Sequence, residues 1–381
     1  MGGHAGDSCL LIRRLASTGS TMNAKYWTFH NPTLIHFGPG YLDRLGSLIG
    51  SRRYALVTYP DDYFKTQIDL IQRSAGPATL IAADVLPNPD FSYFRNLSQD
   101  TLTALTQTEL LIALGGGSVI DTAKVLAVIS NDFADISTSL EQPGTASPVP
   151  LREIIAVPTT AGTGSEVTAW ATVWDSAQGK KYSLNHPNLY PVAALVDPTL
   201  TQLLPPEPTL AAGLDALSHA LESIWNINAN PVSSAYAVQA ATQIMATLPQ
   251  LMSALDDIGL REQMSLAAVL AGLAFSNTKT ALAHSISYPI SLKHGVAHGI
   301  ACSFTLPLVL RRAIGVDPDC DNTLRAIFGK DLAIGADNLE RFLTDLGVST
   351  QPDDYGLSEV EFSEYLKVAQ QGERGKNFIA A

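Results

Sequence analysis

The sequence predicts two domains, an α/β domain built on a parallel sheet and an all-α domain after it, and three observations carry that reading. A chain of 381 residues is longer than one hydrophobic core normally serves. Short apolar runs alternate with helix-like runs through roughly the first half, the pattern of a parallel sheet. From Pro208 onward the strand-like runs give way to long Ala- and Leu-rich stretches. Pro205-Pro206 is the natural hinge, so residues 23–207 form the first domain and 208–381 the second.

In chain order, 33–37, 54–58 and 78–82 read as strands, 92–106 as a helix, 110–114 as a strand, 118–129 as a helix, and 153–157 as a strand ending at Pro158. In the second domain 209–226, 231–255 and 261–288 read as helices. Residues 1–22 pair basic residues with an apolar run too short for a secretory signal, and are read as an extension outside the fold.

Composition excludes some partners. The formal charge is −12, which argues against a nucleic-acid ligand. No uninterrupted apolar run reaches the roughly 20 residues of a membrane helix. Cys9, Cys302 and Cys320 cannot all pair with one another and show no C-x-x-C spacing, so a reducing cytoplasm is expected.

Two loops suggest a nucleotide. The run Leu-Gly-Gly-Gly-Ser-Val-Ile-Asp-Thr-Ala-Lys (114–124) has the form strand, glycine turn, helix. Glycines let backbone N–H groups approach a phosphate, and the helix N-terminus favours its charge. Spacing differs from G-x-G-x-x-G, so this is not the ordinary dinucleotide fingerprint. The next strand leads into Pro-Thr-Thr-Ala-Gly-Thr-Gly-Ser-Glu (158–166), and two such loops after adjacent strands are where an α/β sheet holds a nucleotide.

A metal is suggested by the second domain. Asp215 and His219 stand at i and i+4, on one face of a helix. His284, His294 and His298 fall within 15 residues, with Pro289 expected to end one helix and Gly299 near the start of another. Nitrogen and oxygen donors from separate segments suit Fe²⁺ or Zn²⁺.

These runs resemble a known family. Residues 115–124 are similar to G-G-G-S-x-x-D-x-A-K, residues 158–166 to P-T-T-A-G-T-G-S-E, and 213–222 to G-x-D-A-x-x-H-A-x-E, all motifs of the iron-containing (group III) alcohol dehydrogenases of the dehydroquinate synthase-like superfamily. The resemblance covers about residues 30–310. It implies a nucleotide domain facing a helical metal domain, a divalent metal (Fe²⁺ or Zn²⁺), NAD or NADP, a homodimer, and a small alcohol or aldehyde substrate. Lewis-acid activation of a hydroxyl with hydride transfer to nicotinamide is the implied chemistry. It places cofactor contacts on Gly115, Gly116, Gly117, Ser118, Asp121, Thr159, Thr160, Thr163, Ser165 and Lys181.

Two registers compete for the last ligands. Ala-Gly-Leu-Ala-Phe-Ser-Asn (271–277) fixes His284, and the H-G-x-A-x-x-x-x-L-P match beginning at His298 follows without a gap. The favoured set is Asp215, His219, His284 and His298; the rival uses His294 and leaves Thr280 where a histidine belongs. In the favoured register the family's proton-handling histidine aligns with Tyr288, so Tyr288 or His294 is expected to take that part. Tyr59-Pro60 also replaces the Asp that NAD-using members carry, which opens the cofactor reading to NADP.

Residues 277–289 resemble a branch acting on anionic substrates, which includes an enzyme oxidising C8 of the sugar acid 3-deoxy-octulosonate and others reducing phosphonate aldehydes. Lys279, Lys293 and His294 are the expected source of positive charge. The rival readings are a short-chain alcohol dehydrogenase, a dehydroquinate-synthase-like lyase, expected to carry Glu where Asp215 stands, and a binding protein without catalysis.

Overall fold

The structure, a computed structural model, describes residues 26–130, 132–141 and 149–380. The extension at 1–22 lies outside the described residues. Strands β1 (Leu34–Phe37), β2 (Tyr54–Thr58), β3 (Leu80–Ala82), β4 (Leu110–Gly115), β5 (Glu153–Pro158) and β8 (Ala193–Val196) form one parallel sheet in the order β1-β8-β5-β4-β2-β3. A parallel sheet is covered on both faces, so its central strands are apolar without alternation. Every residue of β2 and β4 is buried accordingly. Strands β6 (Trp170–Asp175) and β7 (Lys180–Asn185) make a separate antiparallel hairpin that the alternation of runs did not foretell.

Helices α1 (Leu45–Ile49), α2 (Tyr63–Ala75), α3 (Phe91–Arg95), α4 (Gln99–Thr106), α5 (Gly117–Val128) and α6 (Ala134–Glu141) accompany the sheet. The single helix expected over 92–106 is two, because Ser98 caps a new start by accepting from the Thr101 N–H. At the carboxyl ends of the strands Gly115 pairs in register with Pro158, and Thr159 N–H donates to the Gly115 carbonyl at 3.1 Å. The two loops therefore leave the sheet side by side.

The second half holds α7 (Pro206–Ile224), α8 (Pro231–Ser253), α9 (Ile258–Thr278), α10 (Leu282–His294), α11 (His298–Ser303), α12 (Leu306–Ala313), α13 (Pro318–Phe328), α14 (Leu332–Asp345) and α15 (Glu359–Gln371). Its core is continuous from Leu214 on α7 through Ala240 and Ala271 to Leu339. By length and composition α9 is apolar enough to cross a membrane, but Ala267, Ala271 and Ala274 are buried against α7 and α8, which makes it a core helix.

Two boundaries differ from expectation. The stretch read as one helix over 261–288 breaks at Lys279, whose φ is 65°. The new N-terminus is held by Glu222 of α7, which accepts from the backbone N–H groups of Ala281, Ala283 and His284. A buried carboxylate suits a helix start, because it satisfies free donors and meets the positive end of the dipole. Pro289 does not end α10. The helix continues to His294, with Ile286 and Ile290 in the core, and stops at Gly295, whose φ is 68°.

Candidate metal centre and cofactor cleft

The sheet's loops and the helical half face one another across a cleft of about 600 Å³. On its helical wall the structure brings together four of the sequence's candidates. Asp215 Oδ1 lies 3.3 Å from His284 Nε2, 3.8 Å from His219 Nε2 and 3.9 Å from His298 Nε2. Asp215, His219 and His284 are each at most 5% exposed, so water does not dissolve this charge.

Each side chain has a reason to point there. Asp215 and His219 share one face of α7. The His219 ring stacks on Phe275 at 4.0 Å and 5°. His284 is aimed by Glu222, whose Oε2 meets its Nδ1 at 2.7 Å and leaves Nε2 turned to Asp215. His298 opens α11, and that helix crosses α7 without room for a side chain between them: a Cβ at Gly299 would overlap the Ala211 carbonyl oxygen.

The group is built for a cation. Asp215 Oδ1 and His284 Nε2 are buried without a hydrogen-bond partner among the described residues. An uncompensated buried carboxylate costs several kcal/mol. Burial holds His219 down at about 4 and His298 at about 3, so both imidazoles are neutral near pH 7 and keep a lone pair free. Burial works against the charge on Asp215, but the surrounding imidazoles outweigh it and keep the carboxyl below its ordinary range. His284 is the exception: although burial opposes its charge, the acidic groups around it, Glu222 and Asp215 among them, hold its pKa well above the ordinary value, so its Nε2 must give up a proton for a cation to bind. With that proton released, nitrogen donors around an ionised carboxylate fit a divalent transition metal.

His294 belongs elsewhere. It lies on the part of α10 that faces α15, with Nε2 3.3 Å from Glu361 Oε1, and it does not line the cleft. Lys293 goes with it and packs over the Tyr365 ring at 5.0 Å. The expectation of His294 as proton-handling group, as rival ligand or as source of charge is therefore corrected, as is that of Lys293: the turn that ends α10 at Gly295 carries both away from the ligand face. Tyr288 does line the cleft, its ring parallel to that of His298 at 6.0 Å. Lys279 reaches the cleft as an exposed side chain.

The opposite wall is the glycine loop. Gly116 precedes α5 with no side-chain cap, which leaves the helix N-terminus open to an anion. A Cβ on Gly117 would stand 2.8 Å from Thr163 Cγ2, so the two loops touch only because that position is bare. Ser118, Thr160, Thr163 and Ser165 line the cleft. Gly115 and Thr159 do not; they lie beneath it, joined by their backbone hydrogen bond. Asp121 borders the cleft, yet one oxygen accepts from Ser165 Oγ and the other from Thr172 N–H, so it ties α5 to the second loop. Lys181 reaches in from β7 and approaches the Tyr288 ring at 3.7 Å, toward the metal-ligand end.

Four residues of consequence escaped the sequence reading as functional positions. Glu222 was visible only as a motif letter. Lys124, fully buried, donates to the Ser165 and Trp170 carbonyls and to Thr168 Oγ1, pinning the second loop to α5. Cys302 lies against His298. Arg374 arrives from the C-terminal segment, which is anchored by Ile227 N–H to Asn377 O and by Asn377 Nδ2 to Thr280 O. No local pattern marks Arg374, so distant in sequence from the motifs.

Comparison with known proteins decides the family. The model of "iron-containing alcohol dehydrogenase" matches residues 32–198, and that of the "Fe-containing alcohol dehydrogenase family, C-terminal" matches 209–380. The chain belongs to the iron-containing alcohol dehydrogenase family. This iron-containing alcohol dehydrogenase is 30% identical to long-chain-alcohol dehydrogenase 1 of Geobacillus thermodenitrificans over 90% of each chain. It is 33% identical to a phosphonoacetaldehyde reductase of Streptomyces viridochromogenes, over 64% of this chain and 66% of that one. Its fold is similar to the crystal structure of sulfoacetaldehyde reductase from Bifidobacterium kashiwanohense in complex with NAD⁺, with a TM-score of 0.83, 29% identity, and coverage of 93% of this chain and 94% of the other. It is an oxidoreductase whose family uses a divalent metal and NAD(P).

Proposed function

We propose that this dehydrogenase interconverts a primary alcohol and an aldehyde in which the substrate carries an anionic group, a sulfonate, phosphonate or carboxylate. The observation that carries the reading is a pair of basic side chains gathered on one aromatic ring in the cleft. Lys181 Nζ lies 3.7 Å and Arg374 Cζ 4.8 Å from the centroid of the Tyr288 ring. Neither forms an ion pair among the described residues. Burial, and then the charge of Arg374, push the Lys181 pKa well below its ordinary value. A neutral alcohol leaves this repulsion in place; an anion relieves it. The named substrates of two relatives, phosphonoacetaldehyde and sulfoacetaldehyde, are of this kind.

Asp215, His219, His284 and His298 are the proposed metal ligands. A metal held by these residues would supply Lewis-acid polarisation of a substrate oxygen, and a nicotinamide held in the cleft would supply the hydride chemistry. The chain does the rest. Glu222 fixes the His284 tautomer. The open N-terminus of α5 would hold the cofactor's pyrophosphate, and Lys181 and Arg374 would hold the substrate anion. The Tyr288 hydroxyl relays the proton between the reacting oxygen and solvent, in the place the family gives to a histidine. Tyr288→Phe keeps the ring under the cations and removes only the relay. Its kcat should fall about 10²-fold, within the usual range for a positioned acid or base, with metal content and preference for anions retained. An unchanged kcat would make Tyr288 a platform only.

The test of substrate class compares Arg374→Met with the parent enzyme on sulfo-, phosphono- and carboxy-substituted aldehydes, on 3-deoxy-octulosonate as the sugar acid, and on butanal. Truncating one partner of a buried charge pair costs about 2–5 kcal/mol, so kcat/KM for the preferred anion should drop at least about 30-fold. Butanal should be turned over within about threefold of the parent, since it makes no such pair. A parent enzyme that prefers butanal to every anionic compound would refute the anionic substrate and leave the dehydrogenase assignment intact.

A further inference from the structure

We infer that Trp170 limits the size of the substrate: its indole closes the cleft on the His219 side, so that short aldehydes enter and long-chain ones do not. Trp170 belongs to the β6–β7 hairpin, whose side chains alternate between two faces as in any strand. Ala171, Val173 and Leu184 turn into the core of the sheet domain, whereas Trp170, Thr172, Lys181 and Ser183 line the cleft. The Trp170 ring meets Phe275 at 5.6 Å and 63°. Phe275 in turn stacks on the His219 ring at 4.0 Å and 5°. Three rings thus run in a row outward from a proposed metal ligand. His219 and Phe275 are at most 5% exposed, and Trp170, only half-buried, is the ring that faces the open cleft.

On the other side of the ligand group, Tyr288 lies parallel to the His298 ring with Lys181 and Arg374 against it. On the dehydrogenase reading above, the reacting carbon stands between these two sides, and a substituent points either to the cations or to the indole. The indole does not swing aside as a flap would. The Trp170 carbonyl accepts from Lys124 Nζ at 2.8 Å, and the Thr172 N–H donates to Asp121 at 2.8 Å, so the backbone is fastened to α5 on both sides of Ala171. Phe275 behind it is wedged in place, since a Cβ at Gly164 would stand 2.6 Å from its ring. A close-packed wall takes added volume only at a cost. An apolar pocket with room gains about tenfold or more for a further methylene; here the indole fills that room.

The test uses the full chain loaded with metal and measures kcat/KM for butanal and octanal in the parent, Trp170→Ala and Trp170→Phe. The octanal-to-butanal ratio should rise at least about tenfold in Trp170→Ala, the lower end of what one accommodated methylene is worth. Trp170→Phe keeps a ring on Phe275 and should raise the ratio by about threefold, half of a tenfold step on the free-energy scale. It decides the matter if the alanine variant does not fold. The dissociation constants of NAD⁺ and NADP⁺, read by calorimetry, should stay close to the parent's in both variants. An indole that only shields Phe275 would lower the melting point and leave the ratio unchanged, which would overturn the inference. A weakened cofactor with an unchanged ratio would overturn it as well, making Trp170 a support for the nicotinamide. A parent that reduces neither these aldehydes nor any anionic one would refute the dehydrogenase reading itself, and the gate with it.

Discussion

His284→Ala is expected to abolish stoichiometric metal and, with it, dehydrogenase activity, whereas His294→Ala should keep both near the parent level. His284 is the best-fixed of the imidazoles: Nδ1 is held by Glu222 at 2.7 Å, and Nε2 is buried, unpartnered and 3.3 Å from Asp215. A closed site of four donors is worth about 10–16 kcal/mol, so one donor contributes roughly 3 kcal/mol, or more than a hundredfold in affinity. The substitution also strands Glu222 as a buried carboxylate without its imidazole, which adds to the loss. His294, by contrast, meets the partly buried Glu361 on α15 and lies outside the cleft, so its loss removes no donor from the group around Asp215. Metal analysis after gel filtration, with the melting point as control, reads both variants. Metal lost from His294→Ala and kept in His284→Ala would reverse the register of the ligands.

Gly299→Ala is expected to do comparable damage without touching any ligand. The new methyl would overlap the Ala211 carbonyl oxygen and approach the Asp215 backbone nitrogen at 3.1 Å. Backbone cannot swing aside as a side chain does, so α11 must move off α7. Overpacking costs about 1–3 kcal/mol. The larger consequence is geometric, because α11 carries His298 and α7 carries Asp215 and His219. Ligand distances tolerate only about ±0.2 Å. The variant should therefore fold with a lowered melting point and bind metal at least about a hundredfold more weakly, twice the tenfold step of 1.4 kcal/mol. Gly295→Ala is the control. It also ends in a strained residue, since φ is 68°, but nothing lies within 4 Å of the added carbon. It should cost about 1 kcal/mol and leave the metal in place. Equal metal loss in both variants would show that general destabilisation, not the approach of two helices, is responsible.

The legible parts of this chain were those whose physics is local. Apolar runs at β2, β4 and β5 announced buried parallel strands, and the glycine loop marked the strand-to-helix turn at Gly116. The i, i+4 spacing put Asp215 and His219 on one face. The register argument selected His284 and His298, which the structure places beside Asp215. What stayed hidden depends on contacts between distant segments. The break before α10 is set by Glu222, some 60 residues upstream, so a continuous helical pattern over 261–288 gave no sign of it. Pro289 was misread as a stop because the local rule for proline outweighed the unseen burial of Ile286 and Ile290. The positive charge of the cleft was sought in nearby lysines, of which Lys279 does line it and Lys293 does not. Lys181 on the hairpin and Arg374 near the C-terminus, brought to one aromatic ring, were not among the expected charges.

The central claim, that this cleft oxidises and reduces its substrate with a metal held by Asp215 and the histidines, is tested most directly by one measurement. The chelator-treated protein is assayed for net NAD(P)H change with an anionic aldehyde, before and after Zn²⁺ or Fe²⁺ is returned. The account predicts loss of turnover on stripping, at least about 10³-fold for removal of the Lewis acid and equivalent to roughly 4 kcal/mol of barrier, and recovery on reloading with one reduced cofactor consumed per aldehyde. Turnover that persists without metal, or product formed with no net change in NAD(P)H, would contradict it.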